Sequence, residues 1–327
     1  MTHGRADQTP PGTGRFPHRH LLGVETLSRN DIALLLDTAQ SFKSKLVAHP
    51  KDRLDHLKGR TLVNLFFENS TRTRTSFEVA ACRLGADVIN FDVGTSSVAK
   101  GETLVDTAET IEALGADFIV MRHRASGACE YLSRQVRGSL INAGDGAHEH
   151  PTQALLDVLT IREAIGRVEG VKVAIVGDAL HSRVARSVIW ALTKLGARVT
   201  VAGPPTLVPF EFKTFGVRVS HDFDEATHNA EVVYLLRIQQ ERQSGAFLPS
   251  LSEYRALYGM DTDRLATLGA GTLIMHPGPV NRGVEVTRDV MHAPQSRILG
   301  QVTNGVAVRM AVLTVLSEAT PVQELVV

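Results

Sequence analysis

Cysteine is scarce: Cys82 and Cys129 are the only ones in 327 residues. Two thiols cannot build a disulfide scaffold, nor by themselves a cysteine zinc site, and their scarcity suits a reducing cytosol. Neither has the setting of a nucleophile. An excess of charge of either sign is missing too. Lys plus Arg and Asp plus Glu both total 35, for a formal net charge of +0, which argues against nucleic-acid or membrane-surface binding through bulk charge. Any anion site must therefore be a local cluster of cations. No apolar run approaches the roughly 20 residues of a membrane span, and the opening stretch MTHGRADQTPPGTGRFP lacks a signal-peptide core. The expectation is a soluble, cytoplasmic protein that engages neither nucleic acid nor membrane. Walker A, H-E-x-x-H and G-x-S-x-G elements are absent as well.

What the chain does have is an alternation of apolar runs and helical stretches. With 43% hydrophobic residues and roughly 100–200 residues per domain, its length suits two packed domains. Residues 1–19 mix Pro, Gly, Thr and Asp without periodicity and are expected to be a disordered tail. Ser28 then caps a first helix whose apolar positions include Ile32, Leu35, Leu36 and Ala39. Short apolar runs follow at 62–67, 87–91, 118–121 and 139–143, with helices between them, and a long helix spans 151–165. The second half repeats the style with runs at 171–177, 198–203, 232–236 and 272–275, a helix at 182–195, another near Phe210, and a final helix from about Asn304 to Glu318. Apolar strands buried on both faces imply parallel sheets with helical crossovers. The predicted class is α/β, with two doubly wound parallel-sheet domains joined by long helices. Their limits are placed at 20–150 and 151–300, and residues 301–327 form a C-terminal helix packing back on the first domain.

In such sheets ligands bind beyond the carboxyl ends of the strands, so polar residues just after apolar runs matter most. After 62–67 come Ser70, Thr71, Arg72, Thr73 and Arg74, hydroxyls and guanidiniums suited to a phosphate. Arg72 and Arg74 are two apart on a helix, so at most one faces the ligand. The alternative is that Ser70 and Thr71 merely cap the helix. After 118–121 comes Arg122, and after 139–143 come His150, Pro151, Thr152 and Gln153. Pro151 fits the first helical position, which puts His150 at the N-cap and Gln153 one turn along, where both can reach one ligand. In the second half VKVAIVGD looks like the start of a dinucleotide fold. A G-x-G-x-x-G loop, however, would need glycine where Ala179 and Ser182 stand, so NAD is disfavoured. Arg183 and Arg237 follow neighbouring strands and could hold the two carboxylates of a dicarboxylic acid; the alternative is that either one pairs with a structural acid.

Together Ser70-Thr71-Arg72-Thr73-Arg74, His150-Pro151-Thr152-Gln153 and Arg237-Ile238-Gln239-Gln240-Glu241-Arg242 resemble the aspartate carbamoyltransferase family, catalytic chain, from about His20 to the final helix. The resemblance implies that the 20–150 domain binds carbamoyl phosphate and the 151–300 domain aspartate, in an early step of de novo pyrimidine biosynthesis. It implies that Arg72, Thr73, Ser70 and Thr71 hold the phosphate, that Thr73, Arg122 and His150 address the carbamoyl oxygen, and that Gln153 binds the carbamoyl amine, with Gly278 and Pro279 nearby. Aspartate falls to Arg183, Arg237 and Gln239, with Lys100 contributed by the adjacent subunit of a homotrimer. No metal and no cofactor are implied. His276-Pro277-Gly278-Pro279 stands where an ornithine enzyme would show H-C-L-P, and where some members have Leu-Pro followed by Arg. Still open are a related carbamoyltransferase with another acceptor, a noncatalytic partner of the same fold, nucleotide regulation, and a higher assembly with regulatory or dihydroorotase-like chains.

Overall fold

The computed structural model describes residues 16–91, 102–239 and 250–319. Ser28 opens α1 (Arg29–Ala48) through a capping box, its hydroxyl accepting from the Asp31 N–H at 3.1 Å while the Asp31 carboxylate accepts from the Ser28 N–H at 2.8 Å. Strands and helices then alternate: β1 (Thr61–Phe66), α2 (Thr71–Arg83), β2 (Asp87–Phe91), α3 (Leu104–Ala113), β3 (Phe118–His123), α4 (Ala128–Ser133), β4 (Ser139–Asp145) and α5 (Pro151–Ile165). The strands pair in parallel in the order β2-β1-β3-β4. The second half comprises β5 (Lys172–Val176), α6 (Arg183–Lys194), β6 (Arg198–Ala202), β7 (Arg218–Ser220), α7 (Phe223–Thr227) and β8 (Val232–Leu235). It ends with α8 (Leu251–Tyr258), α9 (Thr262–Thr267), β9 (Leu273–Met275), α10 (Arg288–Met291) and α11 (Ile298–Ala319). Its parallel sheet runs β7-β6-β5-β8-β9. The two doubly wound sheets expected from the apolar runs are both present.

Several local expectations are corrected. Residues 16–19, assigned to the tail by composition, are packed: Phe16 is buried, and the Arg19 guanidinium donates to the Val136 carbonyl at 2.8 Å. β2 is an edge strand with Asp87, Ile89 and Asn90 exposed, so it is not buried on both faces. The helix near Phe210 is a short 3-10 segment, Phe210–Phe215. The final helix begins at Ile298 and is long and apolar enough, by composition, to cross a bilayer. It packs instead against α1, α2 and α5. A helix apolar all round is one buried all round, and both environments produce the same composition.

One apolar cluster runs from α1 and the first sheet through α5 and α11 into the second sheet, so the halves share a core along the helices that join them. Separate clusters cover the remaining faces, through Ile111, Leu132 and Leu140 in the first half and Val176, Tyr254 and Ile274 in the second. Leu159 of α5 is fully buried in the shared cluster. Leu159→Ala is expected to cost about 2–5 kcal/mol in denaturant unfolding; a loss well below that range would show that α5 is not the common core.

Candidate functional site

Each sheet winds outward in both directions from an internal boundary, β1/β3 in the first and β5/β8 in the second. Such switch points leave a crevice at the carboxyl ends of the strands. Here both crevices open on one cleft of about 750 Å³ lined by residues of both halves.

From the first sheet, the chain leaves β1 and enters α2 at Ser70. Ser70 is the N-cap but makes no side-chain cap bond, and the first turn of α2 holds no acid. Helix N–H groups and hydroxyls are thus presented to an anion, which disfavours a purely capping role. Thr71, Arg72 and Thr73 line the cleft and Arg74 does not, so of the two arginines only Arg72 faces it. Arg122, opposite Phe66 in the β1/β3 register, lines it as well, its Nη1 donating to the Ala143 carbonyl at 3.3 Å.

His150 caps α5 with Pro151 in the first turn, and both His150 and Gln153 line the cleft. The backbone of His150 is clamped: its N–H donates to Ser187 Oγ at 2.8 Å, and that hydroxyl donates to Glu149 Oε2 at 2.7 Å. Burial, then the nearby Arg122, Arg309 and Arg183, hold the His150 pKa well below its ordinary value, so the ring is neutral. Its Nδ1 is buried without a hydrogen-bond partner among the described residues. Gln153 Nε2 donates to Asp157 Oδ1 at 3.0 Å. Burial raises the Asp157 carboxyl to about 7, against the pull of Tyr234, Gln301, Gln153 and Arg309.

From the second sheet, Arg183 begins α6 and lies across Gly144, whose φ is +117°. That backbone conformation favours glycine, and a Cβ there would also sit tightly, 3.0 Å from Arg183 Cδ. Arg183 Nη2 donates to Glu68 Oε2 at 2.5 Å, and Arg122 Nε lies 3.4 Å from the same oxygen. Arg183 thus does pair with an acid, and that acid belongs to the opposite wall. Arg237 and Gln239 follow β8 and line the cleft. The segment is held by Ile238, whose N–H donates to Glu285 Oε1 at 2.8 Å and whose carbonyl accepts from Asn281 Nδ2 at 3.2 Å.

Beyond β9, Gly278 and Pro279 complete the rim, with the Gly278–Pro279 peptide cis. Gly278 has φ +62°, and a Cβ there would collide with the Arg72 guanidinium. His276 Nδ1 accepts from the Gly278 N–H at 2.8 Å, which leaves its buried Nε2 carrying the proton. Burial, then Arg72 and Arg237, lower the His276 pKa to about 3.

The structure therefore gathers Ser70, Thr71, Arg72, Thr73, Arg122, His150, Gln153, Arg183, Arg237, Gln239, Gly278 and Pro279 on one cleft. Lys100, with Gln240, Glu241 and Arg242, lies outside the described residues. Glu68, His276, Gln301 and Arg309 also line the cleft and were not foreseen as site residues. Burial pushes the Cys129 thiol well above its ordinary value, which leaves it inert as a nucleophile.

Two family models match the chain. One, described as the carbamoyl-P binding domain of aspartate/ornithine carbamoyltransferase, covers residues 19–163; the other, the Asp/Orn binding domain, covers residues 169–316. The aspartate carbamoyltransferase catalytic subunit of Beijerinckia indica is 56% identical over 306 residues, 94% of this chain and 96% of that one. Its counterpart in Methylorubrum extorquens is 54% identical over 314 residues, 96% of this chain and 98% of that one. Among solved structures, Trypanosoma cruzi aspartate transcarbamoylase in complex with N-(phosphonacetyl)-L-aspartic acid superposes with a TM-score of 0.84 at 34% identity, covering 93% of this chain and 97% of that one.

The neutral His276 carries a consequence for acid stability. The folded chain keeps this ring unprotonated down to about 3, whereas the unfolded chain takes up a proton near the ordinary value of 6.5. Its contribution is therefore complete above 6.5 and is lost as pH falls from 6.5 toward 3, by up to ~5 kcal/mol. His276→Gln should flatten the fall in stability on acidification, measured by urea unfolding at several pH values across that window; an unchanged slope would contradict the assignment.

Proposed function

This chain belongs to the aspartate/ornithine carbamoyltransferase family and transfers the carbamoyl group of carbamoyl phosphate to the amino group of L-aspartate, and we propose that its cleft divides that work between two walls. The observation that carries this division is the convergence of Arg72 and Arg122 from one sheet and Arg183 and Arg237 from the other on a single cleft. Both substrates are anions, and the wall built by the first half suits the phosphate. Ser70, Thr71, Arg72, Thr73 and the N-terminus of α2 bind it, with Gly278 and Pro279 closing the far side. On the other wall Arg237 and Gln239 take the aspartate carboxylates together with Arg183. That arginine keeps Glu68 on Nη2 and has Nη1 buried without a hydrogen-bond partner among the described residues.

The reaction needs charge stabilised at one atom. The aspartate amine attacks the carbamoyl carbon, the carbonyl oxygen gains negative charge in a tetrahedral transition state, and phosphate leaves, giving N-carbamoyl-L-aspartate. Thr73, Arg122 and His150 donate to that oxygen, each worth roughly 2.7–4 kcal/mol in comparable oxyanion sites. Because His150 is neutral, it acts as a hydrogen-bond donor without adding another full charge to the arginine cluster. Gln153 takes the carbamoyl amine. The rest of the acceleration comes from holding two anions in register away from water. The same reading makes the protein a cytoplasmic homotrimer serving an early step of de novo pyrimidine biosynthesis; free thiols at Cys82 and Cys129 support a reducing compartment.

Arg237→Ala should raise the KM for aspartate far more than that for carbamoyl phosphate, because it removes a clamp from the acceptor wall alone. Steady-state kinetics with each substrate varied will tell, and equal effects on both would mean that the walls are assigned wrongly. The trimer is tested through Lys100. Lys100→Ala and Arg72→Ala should each be nearly inactive, yet mixing, dissociating and reassembling them should restore activity at interfaces that join an intact Lys100 to an intact Arg72 from its neighbour. No recovery in confirmed hybrid trimers would exclude a shared site.

A further inference from the structure

Asp157 is fully buried on α5, one turn beyond Gln153. Its Oδ1 accepts from Gln153 Nε2 at 3.0 Å and from Gln301 Nε2 at 2.7 Å, and its Oδ2 accepts from the Tyr234 hydroxyl at 2.6 Å. Donor and acceptor chemistry decides which way these amides face. The His276 N–H can only donate, so Gln301 must offer it Oε1, at 3.0 Å, and turn its NH2 to Asp157. Oδ1 is thereby an acceptor in either charge state of the carboxyl, since a proton on this group would sit on Oδ2 toward Tyr234. An acceptor at Oδ1 takes only the NH2 of Gln153, which leaves the Gln153 carbonyl oxygen for the cleft that this residue lines.

We propose that Asp157 is a positioning residue that turns the Gln153 carbonyl oxygen toward the substrate, so that the site reads the NH2 of the transferred group and favours a carbamoyl phosphate over an acyl phosphate without an N–H donor. This rests on the assignment of Gln153 to the carbamoyl amine. Acetyl phosphate carries a methyl group where carbamoyl phosphate carries NH2 and is otherwise alike. An acceptor facing that methyl loses its hydrogen bond and stays unpaired, and sites built to pair with a polar group discriminate strongly against analogues that lack it. The same carboxylate ties α5 to α11, through Gln301 to the backbone of the His276 loop, and through Tyr234 to β8, the strand that leads to Arg237.

Asp157→Asn keeps the volume and introduces a donor, which frees the Gln153 amide to turn over. The KM for carbamoyl phosphate should rise about tenfold or more. The competitive inhibition constant of acetyl phosphate and the KM for aspartate should move far less. In a Gln153→Ala background, Asp157→Asn should add nothing further to the carbamoyl phosphate KM. Equal weakening of carbamoyl and acetyl phosphate, or full additivity with Gln153→Ala, would overturn the proposal and leave Asp157 a structural residue. A Gln153→Ala enzyme with unchanged selectivity would be a different failure, removing the assignment of Gln153 and the inference with it. Should Asp157→Asn not fold, the wild-type protein labelled with 15N-glutamine answers the question: the Gln153 NH2 signals, identified by their loss in Gln153→Ala, should exchange slowly with solvent before substrate is added. Exchange at the rate of a free glutamine amide would refute the fixed orientation.

Discussion

Gathering like charge in a partly dry cleft is the constraint on which the rest of this structure depends. In a chain with no net charge, five arginines line one cleft: Arg72, Arg122, Arg183 and Arg237 from the strand ends of two sheets, and Arg309, buried on α11. Each guanidinium must be desolvated against the others, a cost that only local partners can offset. Glu68 answers part of it by standing between Arg122 and Arg183. Arg309 is partnered differently: its Nη1 donates to the Gly305 carbonyl at 2.9 Å and its guanidinium lies 5.0 Å from the Phe77 ring centroid, while its Nε is buried without a hydrogen-bond partner among the described residues. The same field, added to burial, keeps His150 and His276 neutral. What remains unpaired is informative. Arg183 Nη1, His150 Nδ1 and His276 Nε2 are buried without hydrogen-bond partners among the described residues. Each such group costs the fold about 1–3 kcal/mol, and in the proposed reading substrate contacts to Arg183 and His150 would offset that cost.

Glu68 also shows why pairing across the cleft escapes a reading of the sequence. It is 115 residues from Arg183, and nothing local marks the two as partners. The strand-end rule, by contrast, is local. An apolar run followed by hydroxyls and arginines identifies both the strand and the ligand end of it, and for that reason Ser70 to Thr73, Arg122, His150 and Arg237 were legible from the order of residues. The short helices α7, α9 and α10 were not, because four to six residues hold too little of the helical period to stand out. β2 was legible as a strand but not as an edge, since its composition reports its own preference and not its neighbours. Asp157, Gln301 and Arg309 did leave a trace: polar residues inside otherwise apolar helices. A trace of that kind marks a buried network without saying what the network serves.

The helices that carry those residues explain how two sheets can share one site, because they join the two halves behind the cleft. Asn304 of α11 donates to Thr160 Oγ1 at 2.9 Å and to Glu163 Oε2 at 2.8 Å, both on α5, and the surrounding apolar residues belong to the core common to both halves. The back of the cleft is therefore packed and hydrogen-bonded at once. Interiors of that density repack in discrete steps and do not deform smoothly. Any change in the width of the cleft must then be taken up at the strand-end segments that carry Glu68, Arg183, Arg237 and Gly278. Across that gap the Glu68–Arg183 ion pair runs from wall to wall, and an acceptor that engages Arg183 meets a guanidinium already tied to the opposite wall. The arginine proposed to meet the acceptor's charge is in this way also the group that links the two walls through Glu68.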